Sequence, residues 1–137
     1  MASGVPVSPD VITQFKDLKG RKLKYIIFNL NPTNTEIIVE KTSTVKDYDE
    51  FLKDLPEQEC RWAVYDFEFE KDGAPRNKIF FFSWSPDTAK MKPKMVFASS
   101  REGLRRTLDG VQLEIQGTDA TEVEYSAIFT KAQSSTR

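Results

Sequence analysis

Hydrophobic positions recur along this chain in blocks whose period switches between helical and extended. Ser8 is a natural N-cap, Pro9 fits the first helical position and Asp10 suits the positive end of a helix dipole. Val11, Phe15 and Leu18 then repeat at helical spacing up to Gly20, which reads as the stop. Two strands follow, Leu23 to Leu30 and Thr35 to Lys41, joined by the turn Asn31-Pro32-Thr33-Asn34. The first is apolar enough for burial; the second sets Glu36, Ile38 and Glu40 against Ile37, Val39 and Lys41. Asp47 and Glu50 resemble a capping box. Tyr48, Phe51, Leu52 and Leu55 follow at i, i+3, i+4 and i+7, and Pro56 closes that helix.

The strongest extended signal is Cys60 to Glu70, where Ala63, Tyr65, Phe67 and Phe69 alternate with Trp62, Val64, Asp66 and Glu68. Lys78 to Trp84 is apolar on both sides, as a strand in the middle of a covered sheet should be. Between them Lys71 to Asn77 reads as a charged, projecting hairpin loop. After the turn Ser85-Pro86-Asp87 a long helix is expected from about Ala89 to Leu108, with Phe97, Leu104 and Leu108 within roughly 40° of one another. Asp109-Gly110 ends it, and Val111 to Gln116 alternates weakly, as an outer strand would. Asp119 with Glu122 makes another capping-box start, and a last helix covers Ala120 to about Ala132. The order α-β-β-α-β-β-α-β-α predicts a single α/β (α+β) domain: a mixed five- to six-stranded sheet with helices on both faces. Residues 1–7 and 133–137 read as flexible ends.

Composition narrows the chemistry. The chain has 137 residues, 20 Lys+Arg against 21 Asp+Glu, and no histidine. Near-neutral charge argues against a generic nucleic-acid binder. Missing histidine removes the commonest general base and metal ligand. Asp66 and Glu68 share a strand face like an acid/base pair, but no third group completes a site, so no catalytic residue, metal or cofactor is assigned. Cys60, the single cysteine, excludes an internal disulfide and suits a small core residue in a reducing compartment. The expectation is a soluble cytosolic domain that performs no reaction.

Charge distribution says more than the total. Thr88 to Leu108 holds six positive residues, Lys90, Lys92, Lys94, Arg101, Arg105 and Arg106, against Glu102 alone. Asp109 to Tyr125 holds five negative residues and no positive one. On an ideal helix Lys94, Arg101 and Arg105 fall within about 20° of one direction. Such a row suits an acidic partner surface, although a solvated helix face looks the same from pattern alone.

Stretches spanning nearly the whole length resemble the ADF/cofilin family of actin-depolymerising proteins, its fungal and protist members most. They are Met-Ala-Ser-Gly-Val at the start, Leu55 to Phe69, Arg76-Asn77-Lys78-Ile79, Trp84 to Ala89, Lys94 to Ser100 continuing to Leu104-Arg105-Arg106, and Gln116 to Glu122. The resemblance implies a sheet sandwiched by helices. It implies binding to actin monomers and filaments, preferring the ADP state, with severing and depolymerisation. The monomer-facing surface of the family matches Ser3, Gly4, Val5, Lys92, Lys94, Met95, Arg101, Arg105, Arg106, Asp119 and Glu122 here; the filament-facing surface matches Arg76, Lys78 and Lys131. Actin is acidic, which agrees with the basic stripe. Ser3 is the implied phosphorylation site, and phosphoinositide headgroups would compete for the stripe. A phosphoinositide-binding or monomer-sequestering module without severing is the alternative. The protein is expected to be a monomer associated with the cytoplasmic actin cytoskeleton, in patches or cortex. Two departures stand out. The family usually carries Pro near position 90 and Ser near 93, where this chain has Lys90 and Pro93, and Thr130 and Ser134 replace charged residues, leaving Lys131 alone.

Overall fold

A computed structural model describes residues 4–135. Helix α1 (Pro9–Lys19) is capped by the Ser8 hydroxyl, which accepts from the Asp10 backbone N–H. Strands β1 (Tyr25–Leu30) and β2 (Ile37–Ser43) precede α2 (Tyr48–Lys53), whose Asp47 cap accepts from the Asp49 N–H. Strands β3 (Arg61–Lys71) and β4 (Ala74–Trp84) lead into α3 (Met91–Thr107); β5 (Leu113–Gly117), a short 3₁₀ turn (Ala120–Glu122) and α4 (Tyr125–Ser134) complete the chain. The sheet has five strands in the order β2-β1-β3-β4-β5. Every pairing is antiparallel except β4 with β5, which α3 joins as a crossover.

Strand alternation divides the core in two. On one face Val11, Phe15 and Leu18 of α1 and Phe97 and Leu104 of α3 cover Ile26, Phe28, Trp62, Val64 and Phe81. On the other, Tyr48 and Phe51 of α2 and Ile128 and Ala132 of α4 cover Tyr25, Tyr65, Phe67, Phe80 and Phe82. β3 is buried on both faces as far as Phe67 and β4 from Ile79 to Trp84, within the stretch read as apolar on both sides.

Three details differ from the sequence reading. The connection between β3 and β4 is a two-residue turn, Asp72-Gly73, with φ of 55° and 78°; the strands run on through residues expected to be loop. Asp-Gly with both φ positive is the favoured type I′ hairpin pair. Pro75 is accommodated because β4 has no second neighbour there: its pairing with β5 begins only at Phe80. Gly20 is the C-cap of α1, as its position predicts, and the residue that turns left-handed is the next one, Arg21 (φ 66°). The Arg21 side chain reaches Asp66 at 3.5 Å and Glu68 at 2.9 Å, contacts that offset a left-handed cost of about 1–2 kcal/mol. Lys24 also pairs with Glu68 at 2.8 Å and is the main cause of that carboxyl's lowered pKa. The Asn77 amide donates to buried Asp66, so the suspected acid pair is occupied in bracing the hairpin base.

The expected last helix is interrupted after the turn at Ala120–Glu122. Val123 plugs into the core beside Gly117 and Trp84, and α4 starts afresh at Tyr125. Finally, α3 starts at Met91, with Lys90 as an N-cap lacking a side-chain bond. Pro93 therefore stands in the first turn, where its missing N–H has no intrahelical partner to lose.

Candidate functional site

Helix α3 lies across its sheet face through Phe97, which stacks on Trp62 with ring centroids 4.1 Å apart and planes 12° from parallel. That contact turns the opposite side of the helix outward. Met95 is 64% exposed and Met91 70%, one turn apart. Met91 was not singled out from the sequence, although its i, i+4 spacing from Met95 is visible there. Lys92 and Arg106 are exposed and Lys94 half-buried. None of these three cations has an ion-pair partner among the described residues. Lys94 is close enough to Cys60 to oppose the rise that burial imposes on that thiol's pKa.

Arg101 and Arg105 differ: both reach the carboxylate of Glu114 on β5. The stripe thus divides into a free part at Lys92, Lys94 and Arg106 and a tethered part at Arg101 and Arg105.

Residues 4–8, expected in part as a frayed end, are held against α3 and β2. The Val5 N–H donates to Ser100 Oγ at 3.2 Å, the Ile37 N–H to the Pro6 carbonyl and the Ser8 N–H to the Ile37 carbonyl, both at 2.9 Å. Gly4 touches the helix backbone: a Cβ there would sit 2.7 Å from the Ser99 carbonyl oxygen and 2.9 Å from Ser100 Cα. Only glycine fits such an approach. Gly4→Ala should therefore lift the segment off α3. Hydrogen exchange at the Val5 amide is expected to rise at least tenfold while the amides of α3 stay protected; an unchanged Val5 amide would refute the contact. Ser3, the expected phosphorylation position, lies outside the described residues.

Asp119 and Glu122 form the expected capping box, though around a 3₁₀ turn. Asp119 is held below the usual carboxylate range, chiefly by the Thr121 hydroxyl, and Glu122 chiefly by the Thr118 backbone N–H. Both remain exposed and charged at neutral pH. The Ser85 N–H bonds to the Gly117 carbonyl at 2.9 Å, so this turn and the entry to α3 emerge from one end of the sheet.

Arg76 and Lys78 stand elsewhere. They lie in β4 rather than in a loop, in register with Phe69 and Phe67, and so on the α2/α4 face of the sheet. The C-terminal end of α4 is bound to this hairpin: Lys71 Nζ donates to the Gln133 carbonyl at 2.7 Å and Gln133 Nε2 to the Glu70 carbonyl at 3.3 Å. Lys131, exposed on α4, joins Arg76 and Lys78 on that side. Apart from Asp119 and Glu122 at the end of the sheet, the described site residues thus fall into two groups on opposite faces of one sheet.

This arrangement defines a small binding domain with two outward surfaces, one apolar and basic on α3, one basic on the hairpin and α4. Comparison with known proteins gives it a family. Residues 4–133 match the model of the cofilin/tropomyosin-type actin-binding proteins. The chain is 58% identical over 138 residues to a cofilin of Mycosarcoma maydis, covering 99% of each, and 53% identical over 130 residues to a cofilin of Schizosaccharomyces pombe, covering 94% of this chain and 95% of that one. The solved structure of Streptomyces griseoflavus cofilin superposes with a TM-score of 0.90 at 56% identity, covering 94% of this chain and 97% of that one. The chain belongs to the cofilin/ADF family, a family of actin-binding regulators of the cytoskeleton.

Proposed function

We propose that this protein binds actin monomers through α3 with the segment at Gly4 and Val5, and filaments through that surface together with Arg76, Lys78 and Lys131. The observation that carries the reading is the separation of two basic surfaces onto opposite faces of one sheet. A rigid domain with two such faces can touch two neighbouring filament subunits at once. If it binds a twisted filament more tightly than an untwisted one, it shifts the filament toward the twisted form. Boundaries between decorated and bare stretches then break, which gives severing and depolymerisation, with ADP-actin the preferred substrate. In this reading the protein works as a monomer in the cytoplasm, on cortical or patch actin. A phosphate on Ser3 would stand one residue from the Gly4 contact with α3 and repel an acidic partner. The uncompensated charges of Lys92, Lys94 and Arg106 favour a second ligand for the same surface, phosphoinositide headgroups in competition with actin.

The test separates the two faces. Arg76→Ala with Lys78→Ala should weaken co-sedimentation with filaments about tenfold or more and abolish breaks seen by direct imaging of labelled ADP-actin filaments. Monomer affinity should stay within about twofold of wild type, because the substitutions lie on the other face. Loss of monomer binding with filament binding intact would overturn the assignment.

A further inference from the structure

We propose that Glu114 is a positioning residue for the α3 surface, holding Arg101 and Arg105 as one preorganised pair of guanidinium groups. The proposal rests on the monomer-binding reading above and adds to it a residue on β5, outside the helix that carries the stripe.

The geometry is that of one carboxylate shared by two cations. Glu114 Oε1 accepts from Arg101 Nη2, and Glu114 Oε2 accepts from Arg105 Nε at 2.8 Å. Each arginine has a second anchor. Arg101 Nε donates to Ser83 Oγ at 3.1 Å, and its guanidinium lies over the Phe81 ring, 5.8 Å from the centroid. Arg105 Nη1 reaches the Leu108 carbonyl at 3.4 Å. Glu114 is directly opposite Phe81 in the parallel β4–β5 register, so the sheet itself sets where the carboxylate stands beneath α3. All three side chains are partly buried, with relative exposures of 24% for Arg101, 29% for Arg105 and 34% for Glu114.

Two consequences follow from charge and entropy. Side by side without a counter-ion, the guanidinium groups would repel and splay along separate rotamers; the shared carboxylate removes that repulsion. It also fixes two long side chains before a partner arrives, so less conformational freedom is lost on docking. The bonds to Glu114 use only Nη2 of Arg101 and Nε of Arg105. Arg101 Nη1 and Arg105 Nη2 have no hydrogen-bond acceptor among the described residues and remain available for a partner's carboxylates. The cluster keeps one net positive charge.

Counting charge alone predicts the opposite effect. Removing a negative group from a surface that meets an acidic partner should tighten binding. Positioning predicts weakening, so the sign of one measurement decides.

The experiment is titration of labelled ADP-actin monomers with wild type and Glu114→Gln, each repeated in Arg105→Ala and Arg106→Ala backgrounds, with thermal unfolding of every variant. Glutamine keeps the volume and an acceptor oxygen but loses the charge. Glu114→Gln is expected to weaken binding roughly three- to tenfold, with a clearly smaller further loss once Arg105 is gone, where only Arg101 is left to release, and the full loss retained when Arg106 is gone. A merely structural role would lower the melting temperature without coupling selectively to Arg105. Unchanged or tighter binding by Glu114→Gln overturns the inference while leaving the monomer-binding reading intact. Absence of binding by the wild type overturns that reading, and the inference falls with it. Should Glu114→Gln fail to fold, Glu114→Asp, which keeps the charge but is one methylene too short to span both arginines, carries the same expectation and the same refutation.

Discussion

Replacing Phe97 by alanine is expected to lower folding stability by about 3–5 kcal/mol, the usual range for deleting a buried ring. Small domains have only about 5–15 kcal/mol in total, so this one side chain accounts for a large share. The reason is local. Phe97 is 4% exposed and stacks on Trp62, itself fully buried in β3, at a centroid distance of 4.1 Å. Aromatic pairs in such geometry add to the area they bury. Leu104 and, just past the helix end, Leu108 keep this helix anchored, so the void left by alanine would stay partly open rather than collapse. The urea midpoint should fall at unchanged slope, since the same surface is exposed on unfolding. A loss under about 1 kcal/mol would mean that α3 is held to the sheet by something other than this stack.

The second large effect concerns binding without stability. Met95→Glu should leave the melting temperature near wild type, because Met95 is 64% exposed and belongs to neither core cluster. Monomer affinity should fall roughly a hundredfold, about 2.7 kcal/mol. Two contributions act together: apolar contact area at the centre of the α3 surface is lost, and a negative charge is placed against an acidic partner. Met95→Leu should bind nearly as wild type, which separates the charge from the shape. The measurement is titration of ADP-actin monomers with the three proteins. Equal affinity for wild type and Met95→Glu would show that this part of α3 does not meet actin.

Much of this was legible beforehand, and the particular residues say why. Ser8, Asp47 and the Asp119/Glu122 pair announce chain turns through local hydrogen bonds, which depend only on neighbours in sequence. The double-sided apolar run from Lys78 to Trp84 reveals a covered central strand, since a strand with water on one face would alternate. The basic content of α3 and its division into faces follow from 3.6 residues per turn. Asp72-Gly73 was equally legible as a type I′ turn, but the charged residues around it suggested a longer loop.

What stayed hidden depends on contacts between residues far apart in the chain. No local rule places Glu114 beneath Arg101 and Arg105; the parallel register of β5 on β4 does that. No propensity predicts Arg21 in a left-handed conformation beside an available Gly20, because the compensation comes from Asp66 and Glu68 on another element. The break between the turn at Ala120–Glu122 and α4 follows from Val123 packing beside Gly117 and Trp84. The sequence by itself determined the elements, the two-sided core and the charge of α3, because periodicity, capping and turn chemistry act over a few residues. The tertiary structure alone decided which of those charges are tethered and which are free, and set the two basic surfaces on opposite faces, because ion pairing and facing depend on which strands become neighbours.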